Sequence, residues 1–221
     1  MEFFDLVGNV RAMRRLKTDP IPMDMVRKIL HAATGAPSGQ NTQPWAFVAV
    51  QETEAKAWLA ENYKRAMEGR FPGAFDVDPE DNSPRARLVR SVRHQIDHFA
   101  QTPLVILACG KRDWPFAVKQ EDRVGTAPPS YGSIYPAVQN ILLACRDLGL
   151  GATLTTMHQM FEAEMHERFE IPETFGVVAM IPIGFPSGKF GPTRRTPAEE
   201  VTHFDRWGCS SPKSLDGLSE D

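Results

Sequence analysis

The chain has 221 residues, 42% of them hydrophobic and 24% charged, a balance typical of a globular protein rather than a disordered one. Lys and Arg total 25 against 28 for Asp and Glu, and the net charge of -3 excludes a general attraction to nucleic acid or to an anionic membrane surface. The three cysteines are widely spaced and form no CxxC pair, and the N-terminus does not resemble a signal peptide. We therefore expect a cytoplasmic protein with no membrane span and no nucleic-acid partner.

Predicted helices and strands alternate along the whole chain. Apolar residues at a spacing of three and four predict helices, and short apolar runs bounded by Pro or charged residues predict buried strands. Helices are predicted over 21–34, 54–67, 85–99, 133–151 and 161–169, and strands over 45–50, 103–109, 152–156 and 177–184. With no internal repeat or linker, this pattern indicates a single α/β or α+β domain over 1–221 with a polar tail over 209–221.

Two clusters of arginines stand near opposite ends of the sequence. The first, VRAMRR, contains Arg11, Arg14 and Arg15, and the second, PTRRTP, contains Arg194 and Arg195. The forked guanidinium group matches phosphate oxygens, so the two clusters together could clamp one phosphate. If the first segment is helical, Arg11 and Arg14 share a face. A solvated basic surface is the alternative.

A polar loop joins the first predicted helix to the first strand. Its sequence, APSGQNTQPW over 36–45, offers the hydroxyls and amides of Ser38, Asn41, Thr42 and Gln43 as donors and acceptors. Such a loop suits a ligand with hydroxyls or a polar heterocycle edge. An ordinary helix-to-strand turn explains the same residues.

Four motifs occur in order along the chain: the N-terminal arginine cluster, APSGQNTQPWAFVAV, YPAVQNILLACRDLGLGATLTT and IPIGFPSGKFGPTRRTPAEEV. Together they resemble the FMN-dependent nitroreductase family over nearly the whole chain. The resemblance implies an α+β fold with a central, mostly antiparallel sheet flanked by helices. It also implies an intertwined homodimer that binds FMN at its interface, with both subunits contributing to each site.

The resemblance also implies a role for individual residues. Arg11 and Arg195 would hold the FMN phosphate, and Arg14 would lie at the N1/O2 edge of the flavin, where it would stabilise the negative charge of the reduced ring. The remaining implied contacts are Pro37 beside the ring, Ser38 and Asn41 in the polar loop, and Thr155 and Thr156 on the N5 side. Val10 and Ala12 replace an arginine and a serine of the family pattern, and Arg194 or Arg15 are the candidates to compensate.

The family resemblance implies hydride transfer from NADH or NADPH through flavin N5 to nitroaromatics, quinones or activated alkenes, in two steps at one site. No catalytic side chain is expected. We expect the lid and acceptor pocket in two loop-like segments, 69–99 and 111–131. Candidate wall residues are Phe71, Phe75, Trp114 and Tyr131, for each of which a purely structural role is equally open.

Other functions stay open or are disfavoured. Sister groups of the family resemble reductive dehalogenases and a flavin-fragmenting enzyme, and a non-catalytic FMN-binding or storage protein is a third alternative.

His94 and His98 lie four residues apart but lack a third metal ligand, so no metal site is predicted. GLGATL lacks the third glycine of a dinucleotide fingerprint. Cys109 and Cys145 lie in apolar segments and are predicted to be core thiols.

Overall fold

The computed structural model describes residues 1–112 and 132–209. Its contacts divide the chain into two compact units, Met1–Gly191 and Pro192–Asp221. The first unit contains the sheet and the principal helices, and the described part of the second contains one short helix, Ala198–Val201. The prediction of a single domain over 1–221 stays a prediction.

The first unit is built on a four-stranded sheet. Its strands are β1 (Trp45–Val50), β2 (Leu104–Lys111), β3 (Gly151–Ala152) and β4 (Phe175–Gly184), in the order β1-β2-β4-β3. All three pairings are antiparallel, and the β2–β4 register shifts between Ala108 and Cys109. The sequence-based prediction of an antiparallel sheet flanked by helices is confirmed.

The described residues of the first unit also form six α-helices: α1 (Phe3–Asn9), α2 (Met23–Thr34), α3 (Thr53–Arg70), α4 (Pro84–His98), α5 (Ile134–Asp147) and α6 (Glu162–Phe169). The start of α4 shows how local chemistry sets these bounds. The Oγ of Ser83 accepts a hydrogen bond from the Ala86 N–H at 3.1 Å, and Pro84 occupies the first helical turn. The sequence analysis did not predict α1, which buries none of its residues, or the short helix Ala198–Val201 of the second unit.

The core consists of two apolar layers, one on each face of the sheet. Leu104, Ile106 and Ala108 of β2 belong to the layer that contains α2 and α5. Val105, Leu107 and Cys109 alternate with them and belong to the layer that contains α3, α4 and α6. Because β2 is buried on both faces, neither face carries polar side chains, and this explains the continuous apolar run of its sequence.

Candidate functional site

The arginines of the N-terminal cluster lie on an extended strip, which we define as residues 11–17. Its backbone follows the β3 edge of the sheet: the Met13 N–H donates to the Ala152 carbonyl at 3.0 Å, and the Lys17 N–H donates to the Phe185 carbonyl at 2.7 Å. The Thr153 hydroxyl donates to the Met13 carbonyl at 3.1 Å. Arg11 and Arg14 therefore do not share a helical face, because this backbone pairs with β3 and the end of β4 and α1 has already ended at Asn9.

Two glycines let this strip approach the sheet closely. A Cβ added to Gly151 would lie 2.8 Å from the Cβ of Met13 and 2.9 Å from the Cδ2 of Leu16. A Cβ added to Gly184 would lie 3.1 Å from the Cβ of Leu16. A side chain at Gly151 would force the strip to shift, and one at Gly184 would require Leu16 to move by a few tenths of an ångström. The position of the arginine strip thus depends on residues more than 130 positions further along the sequence.

Arg14 is a half-buried cation. Burial lowers the pKa of its guanidinium, and Tyr63 partly opposes this shift. Among residues 1–112 and 132–209, no carboxylate lies within ion-pair distance of Arg14. A partly desolvated guanidinium without an acidic partner suits an external anion or an electron-rich ring edge. Arg11, on the same strip, is exposed.

Tyr63 of α3 is a buried titratable residue whose pKa is influenced by two of the predicted site residues. Its side chain is 3% exposed. Burial raises the pKa of Tyr63, while Thr155 and Arg14 oppose that shift. A tyrosine in a helical pattern is most simply a core residue, and its burial agrees with that interpretation.

Thr155 is held by the sheet itself. Its N–H donates to the Met180 carbonyl and its carbonyl accepts from the Met180 N–H, both at 3.0 Å. Thr156 follows, and the fully buried His158 comes two residues later, with its Nε2 2.7 Å from the Val177 carbonyl oxygen. Backbone and side-chain hydrogen bonds therefore fix this segment on both sides of Thr156.

The polar loop over 36–45 folds into a tight, strained turn. The Ser38 Oγ accepts the Gln43 N–H at 3.0 Å, and the Gly39 N–H donates to the Ser133 Oγ at 3.2 Å. Gln40, Asn41 and Gln43 all have φ near +50°, a conformation that non-glycine residues rarely adopt and that is concentrated at functional sites. Among the described residues, no hydrogen bond joins Ser38 or Asn41 to Arg14 or Thr155.

The other predicted residues include exposed residues of the first unit, two arginines of the second unit and two residues outside the described ranges. Pro37 is exposed. Phe71 and Phe75, after the end of α3, contact each other edge to face with ring centroids 6.4 Å apart. Arg194 and Arg195 belong to the second unit, where the Arg195 Nη1 donates to the Arg194 carbonyl at 2.9 Å. The remaining wall candidates, Trp114 and Tyr131, lie outside the described residues.

The residues considered for other chemistries are two stacked histidines and two buried cysteines. His94 and His98 stack on each other with centroids 4.0 Å apart, and no group of three or more potential metal ligands occurs in the part of the chain that the structure describes. Burial raises the pKa of Cys109 to about 11 and that of Cys145 to about 12. Both thiols are buried in the core, as predicted.

Comparison with known proteins matches residues 9–185 to the model of the nitroreductase family. The chain belongs to the nitroreductase family. It is 25% identical over 194 residues to iodotyrosine deiodinase 1 of Rattus norvegicus, with 84% of this chain and 62% of that protein covered. It is 28% identical over 201 residues to nitrobenzene nitroreductase of Ectopseudomonas oleovorans, with 82% of this chain and 85% of that protein covered.

The fold comparison agrees with the family assignment. A crystal structure of oxidized iodotyrosine deiodinase bound to FMN and 3-iodo-L-tyrosine superposes with a TM-score of 0.67 at 21% identity, covering 89% of this chain and 96% of that one. At this identity the similarity establishes the nitroreductase-like fold. Among the described residues, no helix has the length and apolar character needed to span a membrane.

Proposed function

We propose that this nitroreductase-family protein is an FMN-dependent oxidoreductase that uses NADH or NADPH to reduce nitroaromatics, quinones or similar flat electrophiles. When bound, FMN supplies the redox chemistry by accepting a hydride at N5 and passing it on to the acceptor. The protein's own residues would bind and orient the ring, the nucleotide and the acceptor. No side chain is required as a nucleophile.

The observation that carries this proposal is the half-buried Arg14 without an acidic partner among the described residues. Negative charge develops at the N1/O2 edge when a flavin is reduced, and a preorganised cation there stabilises the reduced form. The guanidinium would thus be neutralised by the ligand rather than by the protein. The donor set fits FMN: arginines for the phosphate and ring edge, and hydroxyls and amides for the polar heteroatoms.

The remaining binding residues have separate roles in the proposal. Ser38 and Asn41 would contact the ring from a loop whose backbone is fixed by internal hydrogen bonds, and Pro37 would pack beside it. Thr155 and Thr156 would approach N5. We assign the phosphate to Arg11 and Arg195, with Arg194 or Arg15 replacing the ligands lost at Val10 and Ala12.

A homodimer with FMN at its interface completes the proposal. In support, α1 exposes the side chains of Phe3 and Phe4 by 63% and 86%. A groove of about 570 Å³ lies beside this helix, lined by residues of α1, α2 and α5. Exposed aromatic side chains beside an apolar groove are typical of a protein–protein interface. Light scattering of the purified protein should give twice the mass of the chain.

The activity is tested by reconstituting the purified protein with FMN and following NADH or NADPH oxidation with nitrobenzene or a benzoquinone as acceptor. We expect FMN-dependent turnover with at least one nucleotide. A reconstituted protein that oxidises neither nucleotide, with either acceptor, would instead support an FMN-binding or storage role.

Reductive dehalogenation is the second candidate, favoured by the similarity to rat iodotyrosine deiodinase 1. The same assay decides it when 3-iodo-L-tyrosine replaces the nitroaromatic and released iodide is measured. Iodide release that exceeds nitroaromatic turnover would make dehalogenation the principal activity.

A further inference from the structure

The segment that precedes the second arginine cluster is bonded to the arginine strip. The Lys17 N–H donates to the Phe185 carbonyl at 2.7 Å, and the Ser187 N–H donates to the Arg15 carbonyl at 2.9 Å. These two bonds hold the start of the segment beside the N-terminal arginines. We define residues 185–191 as the connecting segment, because the first unit ends with it and the second arginine cluster follows in the second unit.

The rest of the connecting segment lacks such bonds. Among the described residues, no backbone hydrogen bond involves residues 188–191. Two of these four residues are glycines, which lose the most conformational freedom when they become ordered. Gly188 and Lys189 are exposed, whereas Phe190 is half-buried. The packing of Phe190 therefore determines how firmly the chain is held where it leaves the first unit.

Phe190 is held by a cation–π contact with Arg146 of α5. The guanidinium carbon lies over the ring, 4.0 Å from its centroid, well within the distance of about 6 Å at which such contacts are attractive. The Arg146 Nε is buried without a hydrogen-bond partner among the described residues. No carboxylate of those residues lies within ion-pair distance of Arg146. The guanidinium thus faces the electron-rich ring of Phe190 instead of an acidic partner.

We propose that Arg146 is a positioning residue for the FMN phosphate, because by holding Phe190 it fixes the point from which the chain continues to the second arginine cluster. This inference rests on the proposed function, which assigns the phosphate to Arg11 and Arg195. Arg146 is not assigned a contact with FMN. It acts by preorganisation, since a segment that is fixed before the phosphate binds loses less conformational entropy on binding.

The effect should depend on the phosphate group of the ligand. Riboflavin has the same ring system as FMN but carries no phosphate, so the second arginine cluster has no anionic group to contact. Loosening Phe190 should therefore weaken FMN binding and leave riboflavin binding unchanged. A general loss of structure would weaken the binding of both flavins alike. The ratio of the two affinities separates positioning of the phosphate ligands from folding.

The first test variant is Phe190→Leu, which removes the aromatic face but keeps an apolar side chain and the charge of Arg146. In fluorescence titrations of the full chain with each flavin, we expect its preference for FMN over riboflavin to fall about threefold to tenfold. Phe190→Tyr retains an aromatic face and should retain the wild-type preference. An unchanged preference in Phe190→Leu, or an equal fall in Phe190→Tyr, would overturn the inference.

The second test variant is Arg146→Met, which removes the cation and keeps an unbranched apolar side chain. Its preference for FMN should fall by a similar factor, and the double variant with Phe190→Leu should lose no more than either single variant. The matched control is Arg168→Met, because Arg168 of α6 lies over Phe169 with a distance of 5.8 Å to the centroid. The control should keep the wild-type preference. Equal falls in Arg146→Met and Arg168→Met would assign the effect to net charge and overturn the inference.

A third arm connects Phe190 to the second arginine cluster. In an Arg195→Ala background, Phe190→Leu should lower the preference for FMN less than it does in the wild type, because one of the groups that it positions is absent. The same fall in both backgrounds would overturn the inference. A wild-type chain that binds neither flavin would refute the proposed function and the inference with it. A chain that binds FMN normally when Phe190 is replaced by Leu would refute the inference alone.

Discussion

Replacing Gly151 by Ala tests how the sheet positions the arginine strip. The new Cβ would lie 2.8 Å from the Met13 Cβ, about 0.6 Å closer than the shortest ordinary contact, and 2.9 Å from the Leu16 Cδ2. Leu16 can rotate its side chain, but the Met13 Cβ is attached to the backbone, so the strip itself must move. Overpacking of this kind typically costs about 1–3 kcal/mol.

The displacement should reach the candidate site, because Arg14 directly follows Met13. A charge-assisted hydrogen bond is worth about 1.5–3 kcal/mol, and losing most of it would weaken FMN binding at least about tenfold. We expect Gly151→Ala to lower the free energy of unfolding by about 1–3 kcal/mol in urea. We also expect it to raise the dissociation constant for FMN about tenfold in a fluorescence titration.

The control for this prediction is Gly188→Ala, since no heavy atom lies within 4 Å of a Cβ at Gly188. That variant should retain both stability and FMN affinity. If Gly151→Ala loses stability but binds FMN with unchanged affinity, the strip does not carry the flavin contacts. If it changes neither quantity, the close approach of the strip to Gly151 is refuted.

Three further substitutions make separate predictions. Arg195→Ala should keep the protein folded but reduce FMN retention after dialysis, since a charge-assisted phosphate contact is worth about 1.5–3 kcal/mol; unchanged flavin content would refute the phosphate assignment. Burial lowers the pKa of His158, so its contribution to stability should be full above about pH 6.5 and fall as the pH drops below that value. His158→Gln should flatten the decline seen in acid unfolding curves, and an unchanged slope would assign the decline to other groups, among them His94, whose pKa is also lowered. Neither amide atom of the buried Gln95 has a hydrogen-bond partner among the described residues, so Gln95→Met should raise the free energy of unfolding by about 1 kcal/mol; a loss of stability would show that the amide is bonded.

The sequence predicted the principal helices and strands because their burial follows a simple period. β2 is a continuous apolar run since both of its faces are covered, and the apolar stripe of α5 faces the sheet. The five-residue strand predicted at 152–156 is only two residues long in the sheet, with one further bridge from Thr155 to Met180. Residues 152–156 have strand propensity, but the pairing of β3 with β4 determines where β3 ends.

The candidate site was less accessible to sequence reasoning. The motifs predicted Arg14 and Thr155 as site residues, but the pairing of Thr155 with Met180 of β4 depends on the tertiary structure. The extended conformation of the arginine strip likewise depends on hydrogen bonds to Ala152 and Phe185, far along the chain. Interactions of such long sequence separation leave no local pattern, and only the tertiary structure reveals them.

The most direct test of the central proposal is anaerobic spectroscopy of the FMN-loaded protein in two separate steps. Addition of NADH or NADPH should bleach the visible flavin absorbance. After removal of the excess nucleotide, nitrobenzene or a benzoquinone should restore that absorbance as the acceptor is reduced. A flavin that stays oxidised with both nucleotides would contradict the proposed oxidoreductase function.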